Sequence, residues 1–456
     1  MSAHATTGQL SAPEERPVGG TEHSWCKAVK IGTGISVVSF LLSKFPDQEA
    51  LQSSIRTLQK IHPVLSCRLR FDPSRNTYYL VPSDPYVSLQ CFDASATSEL
   101  VPSATTIAES FHLLLEHELN RNEWDTDPTP ENTKDLLFAS MYAIDEHHVA
   151  VMLRLHTGVC DRSSAVTILK ELGQLREGEE INGERNLNLG IEELIPSASA
   201  KKSFWARGFD VLGYSLNAFR LANLDFVDTA SKMSSRVARL KLGRVETSSL
   251  LALCERSGLE LWAALAAAGA VAVRSTKEIP KEQREKYGVI TLVNCRGQLS
   301  PTLPANHAGF YHSAVMKSHD VSGREGVWEV ARRIHASFAE AKKANKHFTD
   351  IADLNFLMNS AIDNPSLTAE GKMRTSVITV FEESVVEETE AAEGVADYMG
   401  CSSVHGIGPS IALFDTVRRG QLDCLCVYPF PLHSADQMDN LLRHINTLLV
   451  DASKSL

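Results

Sequence analysis

The sequence lacks an excess of positive charge. Lysine and arginine total 45 against 56 aspartates and glutamates, leaving a net charge of -11. A nucleic-acid binder would carry a basic footprint, so no nucleic-acid partner is expected. None of the nine cysteines forms a Cys-x-x-Cys pair, and His117-Glu118 has no second histidine at zinc-motif spacing. No metal is therefore expected, and buried thiols in a reducing compartment are. Cys424 and Cys426 alternate inside an apolar run, which puts both on one face of a strand. Long hydrophobic runs are missing too. The longest, Ile31–Leu42 and Leu259–Val273, are too short to span a bilayer. Gly32-Thr33-Gly34 lacks the lysine and the spacing of a phosphate loop and reads as a turn. Met1–Gly20 shows no basic-then-apolar signal pattern, and Lys454-Ser455-Leu456 only scrambles a peroxisomal tripeptide. The cytoplasm is the expected location, with no membrane partner.

With 43% hydrophobic and 22% charged residues, the 456-residue chain can bury a large core without a metal or disulfide staple. Leu51, Ile55, Leu58 and Ile61 have helical spacing, and Pro63 ends that helix. Strands are predicted at 66–71 and 77–81, around the turn Asp72-Pro73-Ser74-Arg75-Asn76. Residues 105–120 read as an amphipathic helix. Phe138–Ile144 and Val149–His156 read as strands, the second nearly all apolar and so central in its sheet. His147-His148 falls in the turn between them and reads as solvated. A helix follows through Ala165, Val166, Ile168, Leu169 and Leu172.

Composition turns polar from Glu177 to Asn188, which marks a linker with a crossover reaching about residue 240. Lys201, Lys202, Arg236, Arg239, Lys241 and Arg244 lie in or beside it, as a solvated stretch or as a local patch for a phosphorylated cofactor. Thr247 or Ser248 should cap a helix that stops at Gly258. Leu261–Val273 has almost no polar face and should be buried. Strands are expected at Val289–Asn294, Ser376–Phe381, Ser410–Phe414 and Asp423–Tyr428. Glu382 to Glu393 is an acidic loop or strand extension, and Met438–Val450 is a closing helix. The order of elements predicts two α/β lobes with mixed sheets.

The chemistry is concentrated in Leu153-Arg154-Leu155-His156-Thr157-Gly158-Val159-Cys160-Asp161-Arg162-Ser163-Ser164, where a buried strand ends and a helix opens. This string resembles the His-His-x-x-x-Asp-Gly signature of condensation domains, BAHD acyltransferases and alcohol acetyltransferases. Asp161 aligns with the signature aspartate and His156 with its first histidine. Thr157 stands where the proton-accepting second histidine belongs, and Arg162 replaces the glycine. Leu58-Gln59-Lys60-Ile61-His62-Pro63-Val64-Leu65-Ser66-Cys67-Arg68-Leu69 is similar to the helix-to-strand entry of condensation proteins. Asn294-Cys295-Arg296, with Leu303 to Phe310, resembles their Asn-x-Arg segment. Ser402-Ser403-Val404-His405-Gly406-Ile407-Gly408-Pro409 resembles a strand near the reaction centre of wax-synthase-like acyltransferases. The Asp-Phe-Gly-Trp-Gly string of BAHD enzymes is absent. Gly19 to Ala28 and Val404 to Asp415 resemble a plant group of condensation-type proteins.

The resemblance implies a chloramphenicol-acetyltransferase-like fold with a channel between two lobes. It sets the expected boundaries at 1–20 for a flexible arm, 21–180 for the first lobe, 181–240 for the crossover and 241–456 for the second lobe. It implies acyl transfer from acyl-CoA, as co-substrate rather than bound cofactor, to an alcohol or amine. Partners would be small molecules, and the chain would act as a monomer in specialised metabolism. His156, His405, Thr157 and Asp161 are the candidate catalytic residues. Asp161 would hold the loop, with Arg296 as its structural partner, while His156 or His405 would take the proton. Thr157 or Ser402 would donate to the oxyanion, and Ser402, His307 and His312 would line the substrate path. Each histidine also has a plain reading as a satisfied core or strand residue. Two other outcomes stay open: a repurposed pocket that cyclises or isomerises its ligand, and a binding protein without catalysis.

Overall fold

Val149–His156 is buried along its whole length and lies at the centre of a sheet, as its unbroken apolar run predicts. In the computed structural model, which describes residues 15–129, 132–176, 187, 189–199, 221–365, 374–387 and 394–454, this sheet has five strands. Their order is Val395–Val404, Thr33–Leu42, Val149–His156, Leu137–Ala143 and Leu89–Phe92. Only the last pair is parallel. The edge strand Val395–Val404 comes from the second half of the chain, inside the segment expected to build the other lobe. It pairs antiparallel with Thr33–Leu42, setting Ser402 opposite Ser36. A small antiparallel sheet of Arg16–Pro17, Thr77–Val81, Arg68–Asp72 and Lys134–Asp135 lies beside it.

The second lobe is built on a seven-stranded mixed sheet. Its main path runs His312–Ser322, Arg284–Asn294, Ile378–Phe381, Ile411–Arg418, Gln421–Phe430 and Ser234–Lys241, with Val385–Glu387 added beside Ile411–Arg418. The alanine-rich helix Leu261–Ser275 forms the centre of its core, and Trp262 to Ala268 are wholly enclosed. The closing helix Ala435–Lys454 covers the same core through Met438, Leu441, Ile445 and Leu449. A separate apolar cluster joins the lobes. Val37, Met152 and Cys401 of the first sheet meet Val237, Ala412 and Val427 of the second, beneath the helix Ile107–Asn120. At about 25 cal/mol per Å² of apolar area removed from water, such a seam resists opening.

Several local expectations need correction. The arm is not loose up to residue 20. Arg16 and Pro17 pair with Leu80 and Tyr79, the Arg16 guanidinium makes a two-pronged bond with Glu22, and a helix starts at Gly20. Residues 1–14 lie outside the described residues, as do 177–186, 188 and 200–220 of the expected linker and crossover. The crossover's last residues are not coil: Ser234–Lys241 is a strand. Arg239 on that strand is no solvated charge, because it pairs with Asp397 and Asp423. The helix expected to be capped by Thr247 or Ser248 begins earlier, at Arg244, and the Thr247 hydroxyl instead donates to the Leu242 carbonyl. Strand Val395–Val404 ends one residue before His405, which sits in the bend after it. Among the described residues, no single helix is long and apolar enough to cross a membrane.

Candidate active site

The signature segment turns sharply once it leaves the central strand. Thr157–Val159 form a single 3-10 turn, and Arg162–Arg176 continues as a helix. Asp161 fixes this turn to the other lobe. Its Oδ1 accepts from the Ser164 N–H at 2.9 Å and from Arg296 Nη2 at 3.0 Å. Its Oδ2 accepts from Arg296 Nη1 and the Tyr311 N–H, both at 2.8 Å. The side chains of the pair are 2% and 1% exposed, so the ions are effectively out of water. Burial opposes the carboxylate's charge, but Arg296 and His312 beside it outweigh that and hold it well below the usual carboxylate range. Arg296 also donates from Nε to the His307 carbonyl and from Nη2 to Ser164 Oγ, each at 3.0 Å. Few donors and acceptors here lack a partner, which is what makes a buried ion pair tolerable.

Thr157 and His156 fall on opposite faces, as strand alternation requires. His156 packs edge-on at 5.3 Å against Trp124, which clusters with Val29 and Ile35. Its Nδ1 accepts from the Gly158 N–H at 3.0 Å, and its Nε2 is buried without a partner. Burial lowers its pKa to about 3. Thr157 faces the neighbouring strands. Its hydroxyl lies 2.7 Å from Ser36 Oγ, which lies 2.7 Å from Ser402 Oγ. Three hydroxyls therefore form one chain across the end of the first sheet. Gly34, at φ +91°, makes room for it: a Cβ there would come within 2.9 Å of the Trp25 ring and 3.2 Å of Thr157 Cβ.

A row of aromatic rings leads from Thr157 to the second lobe. Trp25 lies against Gly34 and meets Phe310 at 5.2 Å. Phe310 is 6.4 Å from the His312 ring, and His312 is 6.1 Å from Phe381, edge to face. Arg162 returns the row to the signature segment. Its guanidinium lies 4.4 Å from the Phe381 ring centre and bonds to the carboxylate and carbonyl of Asp415. Arg162 therefore ties the start of its helix to a strand of the other lobe.

The remaining candidates separate. Ser402 belongs to the hydroxyl chain. His307 has its ring 5.7 Å from Tyr311 and lines a small recess with Arg16, Glu22 and His62. His312 directs Nδ1 at Asp161 Oδ2, 2.9 Å away but off the line of an ideal hydrogen bond. His405 places Nδ1 3.0 Å from Ser235 Oγ, and its Nε2 abuts Gly32 so closely that a Cβ there would overlap it. Burial, with Arg374 nearby, lowers its pKa to about 4. Among the described residues, no cluster of histidine, cysteine and acidic side chains could hold a metal ion.

Sequence reading missed Ser36, Trp25 and Phe381 as site residues. Ser36 had a visible signal. It and Ser39 interrupt an otherwise apolar strand, and the enclosed hydroxyl of Ser36 needed a partner. Trp25 and Phe381 come from distant segments, and only the fold brings them near Thr157.

Comparison with known proteins fits this geometry. Residues 231–349 match the family model described as the C-terminus of phthiocerol/phthiodiolone dimycocerosyl transferase. By sequence, no curated protein matches the chain. Among solved structures, polyketide synthase associated protein 5 from Mycobacterium tuberculosis superimposes with a TM-score of 0.67 at 17% identity, over 96% of this chain and 99% of that one. The EpoB cyclization-docking bidomain of Sorangium cellulosum gives 0.66 at 13% identity, over 97% and 86%. The first condensation domain of the calcium-dependent antibiotic synthetase gives 0.64 at 15% identity, over 96% and 98%. The chain has the two-lobed condensation-domain fold. Within that fold, the segment from Thr157 to Arg162 joins the two lobes, and Asp161 and Arg296 are the buried ion pair that fixes it.

Proposed function

We propose that the protein transfers an acyl group from a thioester, with acyl-CoA as donor, to an alcohol or amine in the space between the lobes. The observation that carries this reading is the Asp161–Arg296 pair. It holds the signature turn rigidly while the three-hydroxyl chain of Thr157, Ser36 and Ser402 gathers on the face beside the aromatic row. Acceptor oxygen or nitrogen bonds to the thioester carbonyl carbon, and the carbonyl oxygen becomes an oxyanion. A hydroxyl at the end of the chain, Thr157 or Ser402, donates to it; such donors act best when fixed beforehand. Collapse breaks the carbon–sulfur bond, and the thiolate leaves with a proton.

The two histidines proposed for proton transfer are poorly placed. His156 faces Trp124 on the other side of the strand, and its pKa of about 3 makes it a weak base. His405 is closed in by Ser235 and Gly32. Asp161 is committed to its hydrogen bonds and serves to position the turn.

The test is release of free thiol from a panel of acyl-CoA donors against alcohol and amine acceptors, with the purified chain. Donor- and acceptor-dependent thiol release supports the proposal. The threonine at the base position favours a second reading, a pocket that cyclises or isomerises its ligand. A ligand that binds and rearranges with no thiol released would select it.

A further inference from the structure

The two lobes together build a histidine–aspartate pair that the signature itself does not contain. His312 is the first residue of strand His312–Ser322, on the lobe opposite the signature turn. Its Nδ1 lies 2.9 Å from Oδ2 of Asp161. The carboxylate is fixed by Arg296, the Tyr311 N–H and Ser164, so it cannot turn away from the ring. An ionised carboxylate at Nδ1 favours the tautomer with its proton there. The lone pair then resides on Nε2. That atom has no hydrogen-bond partner among the described residues, and it is not one of the buried orphaned atoms. The ring stands between Phe310 and Phe381, in the row that leads from Thr157 to Arg162.

Neither His156 nor His405 meets these conditions. His156 has its accepting nitrogen occupied by Gly158 and its other nitrogen buried. His405 has no carboxylate at Nδ1 and a glycine pressed on Nε2. We propose that His312 is the general base of the acyl transfer, oriented by Asp161, and that it replaces the histidine absent at position 157. The role rests on the acyl-transfer reading above. In the step, Nε2 takes the acceptor's O–H or N–H proton as the acceptor bonds to the thioester carbon. The resulting imidazolium faces the Asp161 carboxylate, which stabilises it, and it returns the proton to the departing thiolate. The chemistry is thus assembled across the seam: oxyanion donors from the first lobe and base from the second.

His312→Asn tests the assignment. The asparagine amide can keep a donor at Asp161 while removing Nε2. Turnover should fall about 10²–10⁴-fold, the usual cost of a lost positioned base. The melting temperature and donor KM should stay near those of the parent. The acid limb of kcat/KM should disappear in the variant. An active parent whose His312→Asn form keeps both turnover and acid limb overturns His312 alone. A parent that releases no thiol from any donor overturns the acyl-transfer reading and the role with it. If His312→Asn fails to fold, His312→Gln and the pH profile of its residual turnover decide in the same way.

Discussion

The two ends of the signature turn are held very differently. At Asp161, two carboxylate oxygens receive bonds from Ser164, Arg296 and Tyr311, all out of water. At Thr157, a single uncharged hydroxyl rests on another hydroxyl. The first end is costly to alter, because any loss leaves a charge or donor stranded. The second can change identity at little cost to the fold. A scaffold built this way can keep its shape while the side chain at position 157 changes.

The sharpest way to break the comparison is at its stronger end. Asp161→Ala leaves Arg296 buried and uncompensated, and should destabilise by about 3–5 kcal/mol. Urea denaturation of Asp161→Ala beside Arg296→Met and the double variant measures it. The double variant should recover part of the loss. A freely soluble Asp161→Ala protein with the parent's denaturation midpoint would refute the structural role.

Much of this end was legible in the sequence. The apolar run of Val149–His156 predicted the central strand, and the resemblance of Asn294-Cys295-Arg296 to the Asn-x-Arg segment of condensation proteins implied the Asp161–Arg296 pair that locks it. The alanine-rich helix declared itself buried because it has no polar face. What stayed hidden depended on distant pairing. Strand Val395–Val404 crosses into the first sheet, and nothing in its composition shows which sheet it joins. Ser234–Lys241 alternates weakly and carries charge, so it read as linker until Asp397 and Asp423 accounted for Arg239. His312 read as a residue of the substrate path or of the packing, and its pairing with Asp161 stayed hidden because that partner lies far away in sequence on the other lobe.

Acid should act next most strongly, through histidines buried in the neutral form. His156 has its pKa lowered to about 3, and His319, His347, His405 and His433 to about 4, mainly by burial, against 6.5 when unfolded. Below about pH 6.5 the unfolded chain binds protons that the folded chain refuses. Stability therefore falls as pH drops, by about 1.4 kcal/mol per pH unit for each such histidine, until the folded pKa is reached. The Asp161 carboxylate adds a loss at still lower pH, below the usual carboxylate range, because its folded pKa is depressed. Denaturant midpoints of the parent and His156→Leu between pH 7 and 4.5 test this. The variant should show the shallower slope, and parallel curves would contradict a neutral His156.

A smaller effect is expected where the turn meets Trp25. Gly34→Ala puts a side chain at φ +91° and presses it against Trp25 and Thr157. Strain of this kind costs about 1–3 kcal/mol. Thermal melting should show it, and an unchanged Tm would mean that the indole moves aside without loss.

The smallest stability change belongs to Thr157 itself. Thr157→Val keeps the shape and removes the hydroxyl, while Ser36 keeps Ser402 as its partner. Stability should drop by about 1 kcal/mol, the net worth of one hydrogen bond. Turnover should respond far more if Thr157 donates to the oxyanion: loss of one such donor costs about 10²–10³-fold in kcat. Ser402→Ala divides the assignment. If Ser402 is the donor, its removal carries the large loss in kcat and Thr157→Val carries little. If Thr157 is the donor, Thr157→Ser retains most of the turnover that Thr157→Val loses, since the serine hydroxyl can rejoin Ser36. Equal turnover in Thr157→Val, Ser402→Ala and the parent would remove the hydroxyl chain from the chemistry. It would leave the weak end of the turn as packing alone, and the contrast with Asp161 would then be one of stability rather than of function.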